Sequence, residues 1–205
     1  MALRLIPATL TVRLWRKGGV DSFRSHVDWP GPRRIRREHL PLEVMMLLRA
    51  WRFMALLLTA LSLTMESAHV LELPQKMRYD AVMYAAVNGT LYRYFAIVGG
   101  VYQITSIVLV AALAFLVRKR RPSFHYTLAS AVCLGLAFVI WLVAVAPVNA
   151  EVAEAMRTTP QWVSSVWMEQ RQRWEYGHVA GFVAQLVGLC ALIASVLVET
   201  PRDLA

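Results

Sequence analysis

The chain alternates between long apolar runs and short charged connections. Four stretches contain no Asp, Glu, Lys or Arg: residues 53–65, 94–117, 122–150 and 176–198. Three of them exceed the ~18 residues at which a membrane-spanning helix becomes the expected structure. The first is shorter, but Arg49 and Arg52 can extend their charged ends toward water while the helix continues to Leu71. The pattern therefore predicts four transmembrane helices, near residues 45–71, 94–117, 125–149 and 176–198.

The composition indicates a membrane protein rather than a soluble domain. The chain has 205 residues, of which 58% are hydrophobic and 17% are charged, and its mean hydropathy is +0.47. Soluble domains have about a quarter of their residues charged. The predicted fold class is therefore all-α: a four-transmembrane-helix bundle over residues 45–200, with the lipid bilayer as its surroundings.

Lysine and arginine are concentrated on one side of the predicted topology. Eleven of them lie between the N-terminus and Arg52, and four in a row occupy residues 118–121 between the second and third helices. By the positive-inside rule, both termini and this turn face the cytoplasm of a multi-pass protein of the cell membrane. The formal net charge of +9 follows from this topology. Basic runs next to membrane helices argue against a nucleic-acid partner.

Residues 1–44 form a basic N-terminal arm without sustained helical or strand periodicity. The segment DWPGPRR, at residues 28–34, breaks any helix. The arm also lacks the contiguous apolar stretch of a secretory signal. An alternative is that the working start of the protein is Met45 or Met46. We therefore expect the arm to be disordered or dispensable.

Polar residues inside the predicted membrane helices fall on one face of each helix. Two Glu-x-x-His motifs supply most of them, in MESAH at residues 65–69 and in WEYGH at residues 174–178. Residues three, four or seven positions apart share a helix face. The series is Thr59, Ser62, Glu66 and His69 on the first helix, and Glu175, His178 and Gln185 on the fourth. Lipid cannot satisfy such groups, so both faces are predicted to point into the bundle.

The repeated Glu-x-x-His pattern is one by which helix bundles bind metal ions, because it places a carboxylate and an imidazole on one helix face. The candidate metal ligands are Glu66, His69, Glu175 and His178, and iron or copper suits such a mixed set. Standard dimetal centres also take a Glu from each of the other two helices, and the second helix offers none. The pattern therefore favours a single metal ion or no metal.

Two alternatives compete with a metal site. The polar groups can pair the helices without any ligand, for example through an ion pair between Glu66 and Arg93. They can also line a pocket for a small apolar aromatic molecule, with Gln103, Trp174 and Gln185 as the pocket residues. In the non-catalytic alternative, the protein is a membrane accessory or scaffold whose polar residues only pair the helices, and its outer loops dock a protein partner.

The two longer loops are predicted to contain helical structure. The segment TTPQW, at residues 158–162, begins a helix at Pro160 that continues toward the fourth span. Residues 72–93 are expected to include a short helix over the bundle mouth. Three tryptophans are expected to form a belt at the membrane interface: Trp162, Trp167 and Trp174.

Four short motifs connect the chain to a known family. ESAHVLELPQK closes the first helix, LYRYF opens the second, APVN closes the third and RWEYGH opens the fourth. In this order they resemble the small four-helix membrane proteins grouped with the anthrone oxygenases, over about residues 46–200. The resemblance implies oxidation of polycyclic aromatic anthrones to quinones without a conventional cofactor. It implies Asn149, Trp174, Glu175 and His178 as site residues. Because a cofactor-free reaction disagrees with a metal site, the two stand as alternatives.

An oxidase mechanism follows from these residues. A flat apolar aromatic substrate would enter the bundle mouth from the bilayer. His178 or Glu66 would remove an acidic C–H or phenolic proton, and Asn149 would stabilise the resulting enolate oxygen. The predicted catalytic residues are therefore His178, Glu66 and Asn149.

A chain that begins at Met45 should insert into the membrane with its C-terminus in the cytoplasm, because the orienting charges at Arg49, Arg52 and residues 118–121 remain. A reporter that fluoresces only in the cytoplasm, fused after Ala205, measures the orientation. If the shortened chain fails to insert while the full chain inserts normally, the arm is not dispensable.

Overall fold

The computed structural model describes residues 41–92 and 94–199. Within these ranges every element is helical: α1 (Leu42–Lys76), α2 (Ala81–Leu91), α3 (Phe95–Leu116), α4 (Ser123–Ile140), α5 (Ala146–Thr158) and α6 (Val163–Leu197). A π-helical turn, Trp141–Val145, joins α4 to α5, and a 3₁₀ turn, Pro160–Trp162, precedes α6. The predicted all-α fold is confirmed. Residues 1–40 of the predicted arm lie outside the described residues, and residues 42–44, which were predicted to belong to the disordered arm, form the start of α1.

Four helical stretches are long and apolar enough to cross a membrane: Leu42–Lys76, Phe95–Leu116, Ser123–Thr158 and Pro160–Leu197. Their outward faces carry large apolar side chains, among them Ile97, Val132, Leu136 and Val187. Lipid is the solvent that such faces require. The chain is a multi-pass membrane protein built on a four-helix bundle.

Helix α1 is longer than predicted at its C-terminal end. It has 35 residues, which corresponds to about 50 Å and exceeds the ~30 Å hydrocarbon core. It continues through Pro74 to Lys76 instead of ending near Leu71. Pro74 has no backbone N–H to donate to the helix. It lies in the last turn of α1, however, and only two helical residues follow it. This additional turn places Lys76 on the buried face of α1.

The third membrane helix also extends further than predicted. The sequence predicts an end near Asn149, because Pro147 should disrupt the last turn, but the helix continues to Thr158. The π-helical turn directly before α5 explains the continuation. Its wider hydrogen-bond spacing accommodates a residue that has no N–H to donate. The helix therefore reaches the end of the bundle at which α2 lies, and Val148 and Val152 pack there with Tyr84.

Helix α6 is continuous across the boundary between the predicted loop and the predicted fourth span. Pro160 opens the 3₁₀ turn, and α6 follows directly as Val163–Leu197. The prediction that the loop helix runs toward the fourth span is confirmed. Glu175 and His178 consequently lie inside one rigid helix, where their relative positions are set by helix geometry.

The short helix predicted in the first long loop is also present, as α2. The Asp80 side chain caps it by accepting a hydrogen bond from the Met83 backbone N–H at 2.8 Å. Its inward residue Tyr84 packs edge-on against Trp167 of α6, with ring centroids 5.6 Å apart. Helix α2 therefore packs against α6 beside the polar residues of the bundle.

Charged residues from three parts of the chain meet at one end of the bundle. Arg52 of α1 lies 2.7 Å from the Glu199 carboxylate, and Arg120 of the turn after α3 lies 3.4 Å from the same oxygen. We call this end the basic end and the opposite one the site end. An apolar core fills the bundle next to the basic end: Ala55, Val110, Leu113, Val117, Leu134 and Leu192.

Helix α6 approaches the π-helical turn closely at Gly177. A Cβ atom added there would lie 2.9 Å from Val145 Cγ2 and 3.0 Å from Ala144 Cβ. Small residues at helix interfaces allow this kind of approach in membrane proteins. Packing therefore requires a glycine at position 177. Because Gly177 lies between Glu175 and His178 in the sequence, its contact with the π-helical turn also positions these two polar residues.

Gly177→Ala should lower the unfolding free energy by about 1–3 kcal/mol, because the added methyl group overpacks a contact with the stiff Val145 side chain. Thermal unfolding in mild detergent measures the change. Gly135→Ala is the matched control, because a Cβ at Gly135 meets no atom of the described residues within 4 Å. Equal stability of the two variants would contradict the close approach at Gly177.

Candidate functional site

The buried face of α1 is the polar stripe that the sequence predicts. Thr59, Ser62, Glu66 and His69 are all buried, so this prediction is confirmed. Lys76, seven residues after His69, continues the stripe and is only 1% exposed. A carboxylate, an imidazole and an amine therefore lie along the one face of α1 that is buried in the bundle.

Glu66 and His178 form a buried pair between α1 and α6. His178 Nδ1 lies 2.8 Å from Glu66 Oε2, and the two residues are 7% and 8% exposed. Gly181, one turn beyond His178, lies against the carboxylate, and a Cβ added there would make ordinary van der Waals contact with it at 3.6 Å. We call this pair the Glu66–His178 dyad.

The dyad leaves one imidazole nitrogen free. An ionised carboxylate can only accept hydrogen bonds, so Glu66 favours the tautomer with the proton on His178 Nδ1. His178 Nε2 is buried, and within the described residues it has no hydrogen-bond partner. The arrangement resembles the carboxylate–imidazole half of a catalytic triad, in which the second nitrogen acts as the base.

His69 contributes a ring surface next to the dyad. Its ring stacks on His178 with centroids 4.0 Å apart and planes inclined by 26°. Tyr92 lies at 4.6 Å, and Trp174 meets the His69 ring edge-on at 4.9 Å. His69 is thus part of an aromatic cluster and packs beside His178 through its ring face.

Glu175, three residues before His178, has different partners. The Tyr84 hydroxyl donates a hydrogen bond to Glu175 Oε1 at 2.8 Å, and Lys76 Nζ lies 3.5 Å from the same oxygen. The Lys76 ammonium also lies 3.9 Å from the Tyr92 ring centroid and 4.8 Å from that of Trp174. We call this group the Lys76 cage: Lys76, Tyr84, Tyr92, Trp174 and Glu175.

Tyr84 acts in this cage as a permanent donor. Burial, and then the negative charge of Glu175, raises the pKa of Tyr84. The phenol therefore keeps its proton at physiological pH and satisfies one lone pair of the buried carboxylate. Lys76 lies beside the same oxygen as the nearest cation, so both contacts of Glu175 are made through Oε1, and Oε2 has no hydrogen-bond partner among the described residues.

The structure does not bring the four predicted metal ligands together as a metal site. Glu66, His69 and His178 meet at the dyad, whereas Glu175 pairs with Lys76. Among residues 41–92 and 94–199, no three His, Cys, Asp or Glu side chains are grouped so that they could hold a metal ion. The predicted iron or copper site therefore has no support in the structure.

A cavity of about 740 Å³ lies beside the dyad. Glu66, His69 and His178 are on its wall, together with Gln103 and Trp174, two of the three predicted pocket residues. The rest of the wall is mainly apolar, with Met65, Tyr92, Phe95, Ile104, Phe138, Trp141, Val152, Met156 and Trp167 among its residues. The dyad thus has access to a mostly apolar space.

Two amides differ in their relation to this cavity. Gln103 is 6% exposed, and its Nε2 atom finds no hydrogen-bond partner in the part of the chain that the structure describes. Gln185 is also buried with an unpaired amide group in the described ranges, but it is outside the cavity wall. Gln103 is therefore one of the amides that line the cavity, with Asn88 and Asn149, whereas Gln185 is not.

Asn149 lies on the cavity wall and is held by Trp174. The indole Nε1–H donates to Asn149 Oδ1 at 2.9 Å, which leaves the amide nitrogen as the remaining donor of this cavity-lining side chain. Trp174 and Trp167 are 4% and 5% exposed, so the predicted interfacial belt is wrong for both. Only Trp162 of the three is exposed.

Sequence reasoning missed Lys76, Tyr84 and Tyr92. Lys76 had a detectable signal, because it lies seven residues after His69 and shares its helix face. The expected helix end near Leu71 concealed this spacing. Tyr84 and Tyr92 reach the site through the position of α2, which helical periodicity alone does not reveal. Arg93, the alternative partner of Glu66, lies outside the described residues.

Comparisons of the chain with family models, with curated proteins and with solved structures found no match. The resemblance to the anthrone oxygenases therefore stays a prediction. Fold and geometry together define the class of protein: a multi-pass helical membrane bundle with a buried carboxylate–imidazole dyad beside a large cavity.

Lys76→Met should lower the unfolding free energy by about 3–5 kcal/mol, because it leaves the Glu175 carboxylate buried without its cation. Adding Glu175→Gln should restore most of the loss, since an amide needs no counter-ion and its oxygen still accepts from Tyr84. Denaturation of both variants in mild detergent measures the two changes. A double variant as unstable as the single one would show that the ion pair is not the cause.

Proposed function

We propose that this membrane protein binds a flat, mostly apolar aromatic molecule in the cavity and oxidises it, with His178 as the base. The proposal rests on the position of the dyad: His178 lines the cavity, Glu66 holds its Nδ1, and its buried Nε2 has no hydrogen-bond partner among the described residues. The cavity volume of about 740 Å³ lies within the range of small-molecule sites, about 300–1,000 Å³.

The proposed reaction starts with proton removal. His178 Nε2 takes a proton from an acidic C–H or phenolic O–H of the substrate, and the Glu66 carboxylate stabilises the resulting imidazolium. The Asn149 amide nitrogen donates to the substrate oxygen, on which negative charge develops. The low-dielectric surroundings strengthen both interactions relative to water.

Molecular oxygen is the oxidant in this proposal. An anthrone methylene carbon loses two hydrogen atoms and gains one oxygen atom from O₂, and the second oxygen atom leaves as water. The proton held by His178 returns to that leaving oxygen, which restores the base.

The resemblance to the anthrone oxygenases supports this assignment. The motifs that carry it, ESAH and RWEYGH, contain both members of the dyad, and the APVN motif contains Asn149. Three of the residues that the resemblance implies, Asn149, Trp174 and His178, lie on the wall of one cavity. Glu175 would act indirectly, as the partner of Lys76.

We also propose that the basic end faces the cytoplasm and that the protein resides in the cell membrane. The turn at residues 118–121 and the contacts of Arg52 with Glu199 place the arginine-rich segments at that end. By the positive-inside rule, the site end then opens toward the non-cytoplasmic side.

A second function, that of a non-catalytic accessory or scaffold protein, is favoured by a different observation. The two buried acids, Glu66 and Glu175, are paired with His178 and Lys76 from the opposite helix. Such pairing offsets the free-energy cost of burying the two acids without any ligand, and it can serve helix association alone.

His178→Ala should lower the rate of anthrone oxidation about 100-fold or more, and Glu66→Gln should lower it by at least about tenfold, because the dyad supplies the base. Conversion of anthrone to anthraquinone in proteoliposomes, measured with O₂ uptake, reports both rates. His125→Ala is the control, since His125 is an exposed histidine at the start of α4.

Two outcomes would decide against the oxidase. One is an unchanged rate in His178→Ala. The other is a wild-type protein without activity whose His178→Ala variant loses only thermal stability, which would favour the accessory function.

A further inference from the structure

The cavity wall is incomplete between α3 and the third membrane helix. Near the basic end these helices touch, because Val110 and Leu113 pack with Leu134 in one core. Closer to the site end the cavity separates them. Its lining there includes Ile104 of α3, which is 52% exposed on the outer surface of the bundle. A residue that lines the cavity and also faces outward marks an opening in the side of the bundle.

The opening lies at the depth of the lipid tails. Ile104 is twelve residues before the end of α3 at Leu116, about 18 Å along the helix axis. Phe138, across the gap, is fifteen residues after the start of α4 at Ser123, about 22 Å from the same end. Both depths fall within a hydrocarbon core of ~30 Å. The opening therefore faces lipid tails rather than water.

The borders of the opening suit a flat apolar molecule. Gly100 presents no side chain, and a Cβ added there would meet no atom of the described residues within 4 Å. The Phe138 and Trp141 rings are nearly parallel, at 7° to one another, and their centroids are 6.2 Å apart. We call this opening the lateral portal: Gly100, Ile104, Phe138 and Trp141.

Hydrogen-bonding groups without partners lie directly inside the lateral portal. Gln103 precedes Ile104 on α3 but points inward, and its Nε2 atom is unpaired among the described residues. His178, whose Nε2 atom is also unpaired among the described residues, lines the same cavity. Buried polar groups are normally paired, and a molecule bound in the cavity can supply the acceptor that the Gln103 amide lacks among the described residues.

The site end is the alternative entrance, because Gly89 and Met156 also line the cavity there and Met156 is 46% exposed. Helix α2 lies there and is held against α6 by the hydrogen bond that Tyr84 donates to Glu175. Gly89 of α2 also approaches α5, where a Cβ added to it would lie 3.8 Å from Met156 Cε. A glycine borders each entrance, so depth distinguishes them: the lateral portal lies at the level of the lipid tails, in which a flat apolar molecule dissolves.

We propose that the ligand reaches the cavity sideways from the lipid, through the lateral portal, and that Gln103 then donates a hydrogen bond to its oxygen. The ligand is a flat aromatic molecule dissolved in the bilayer that carries at least one carbonyl or phenolic oxygen. The ligand class rests on the proposed function, but the route depends only on the geometry of the portal.

Stopped-flow quenching of the protein tryptophans by anthraquinone in phosphatidylcholine vesicles tests the route, since Trp141, Trp167 and Trp174 line the cavity. Gly100→Phe should slow association about tenfold, and dissociation similarly, because it narrows the path more than it alters the bound state. Gly135→Phe, on an open face of α4, is the control and should bind at the wild-type rate.

Two further variants separate the alternatives. Gly89→Phe narrows the site end instead and should leave the association rate unchanged; if it slows binding while Gly100→Phe does not, the lateral route is overturned. Gln103→Leu should weaken equilibrium binding of anthraquinone about tenfold, the loss typical of one hydrogen bond. Unchanged affinity would overturn the assignment of Gln103.

The test is independent of the oxidation itself. Anthraquinone binding that responds to Gly100→Phe, in a protein that does not oxidise anthrone, would support the portal and reject the proposed function. Wild-type protein that shows no saturable quenching would reject the portal as a ligand route.

Discussion

Burial of ionisable groups inside a membrane bundle is the constraint on which the rest of this structure depends. A carboxylate that is buried away from water requires a partner. Helices α1 and α6 each supply one acid and one base to meet this requirement. In the dyad, α1 supplies the acid and α6 the base; in the Lys76 cage, α1 supplies the base and α6 the acid. Because the two helices run in opposite directions, these reciprocal pairs hold them in one register.

The two pairs differ in what they leave available. In the Lys76 cage, Glu175 Oε1 accepts from Tyr84 and lies 3.5 Å from Lys76 Nζ, and the Lys76 ammonium lies against aromatic rings. In the dyad, His178 lines the cavity and its Nε2 is unpaired among the described residues. An ion pair enclosed by rings fixes structure, whereas an imidazole with one unpaired nitrogen beside a cavity can exchange a proton with a bound molecule. The cage thus positions α6, and His178 is the residue of α6 available for chemistry.

Packing irregularities in the third and fourth helices support this arrangement. The π-helical turn Trp141–Val145 lets the third helix continue through Pro147, and Gly177 lets α6 approach that turn closely. π-helical turns are frequent at functional sites because they re-aim side chains. Here Trp141, the first residue of the turn, reaches the cavity wall, so a backbone irregularity contributes to the shape of the candidate site.

The sequence by itself determined the four membrane helices and the inward polar faces, since apolar length and a spacing of three or four residues are local properties. The burial of Glu66, His69, Glu175 and His178 follows from that pattern. Tertiary structure alone decided which of these groups meet. It paired Glu66 with His178, turned Glu175 toward Lys76, stacked His69 as a ring and excluded Gln185 from the cavity. Periodicity states which face of a helix is buried, but the rotation and depth of neighbouring helices select the partner atom across the gap.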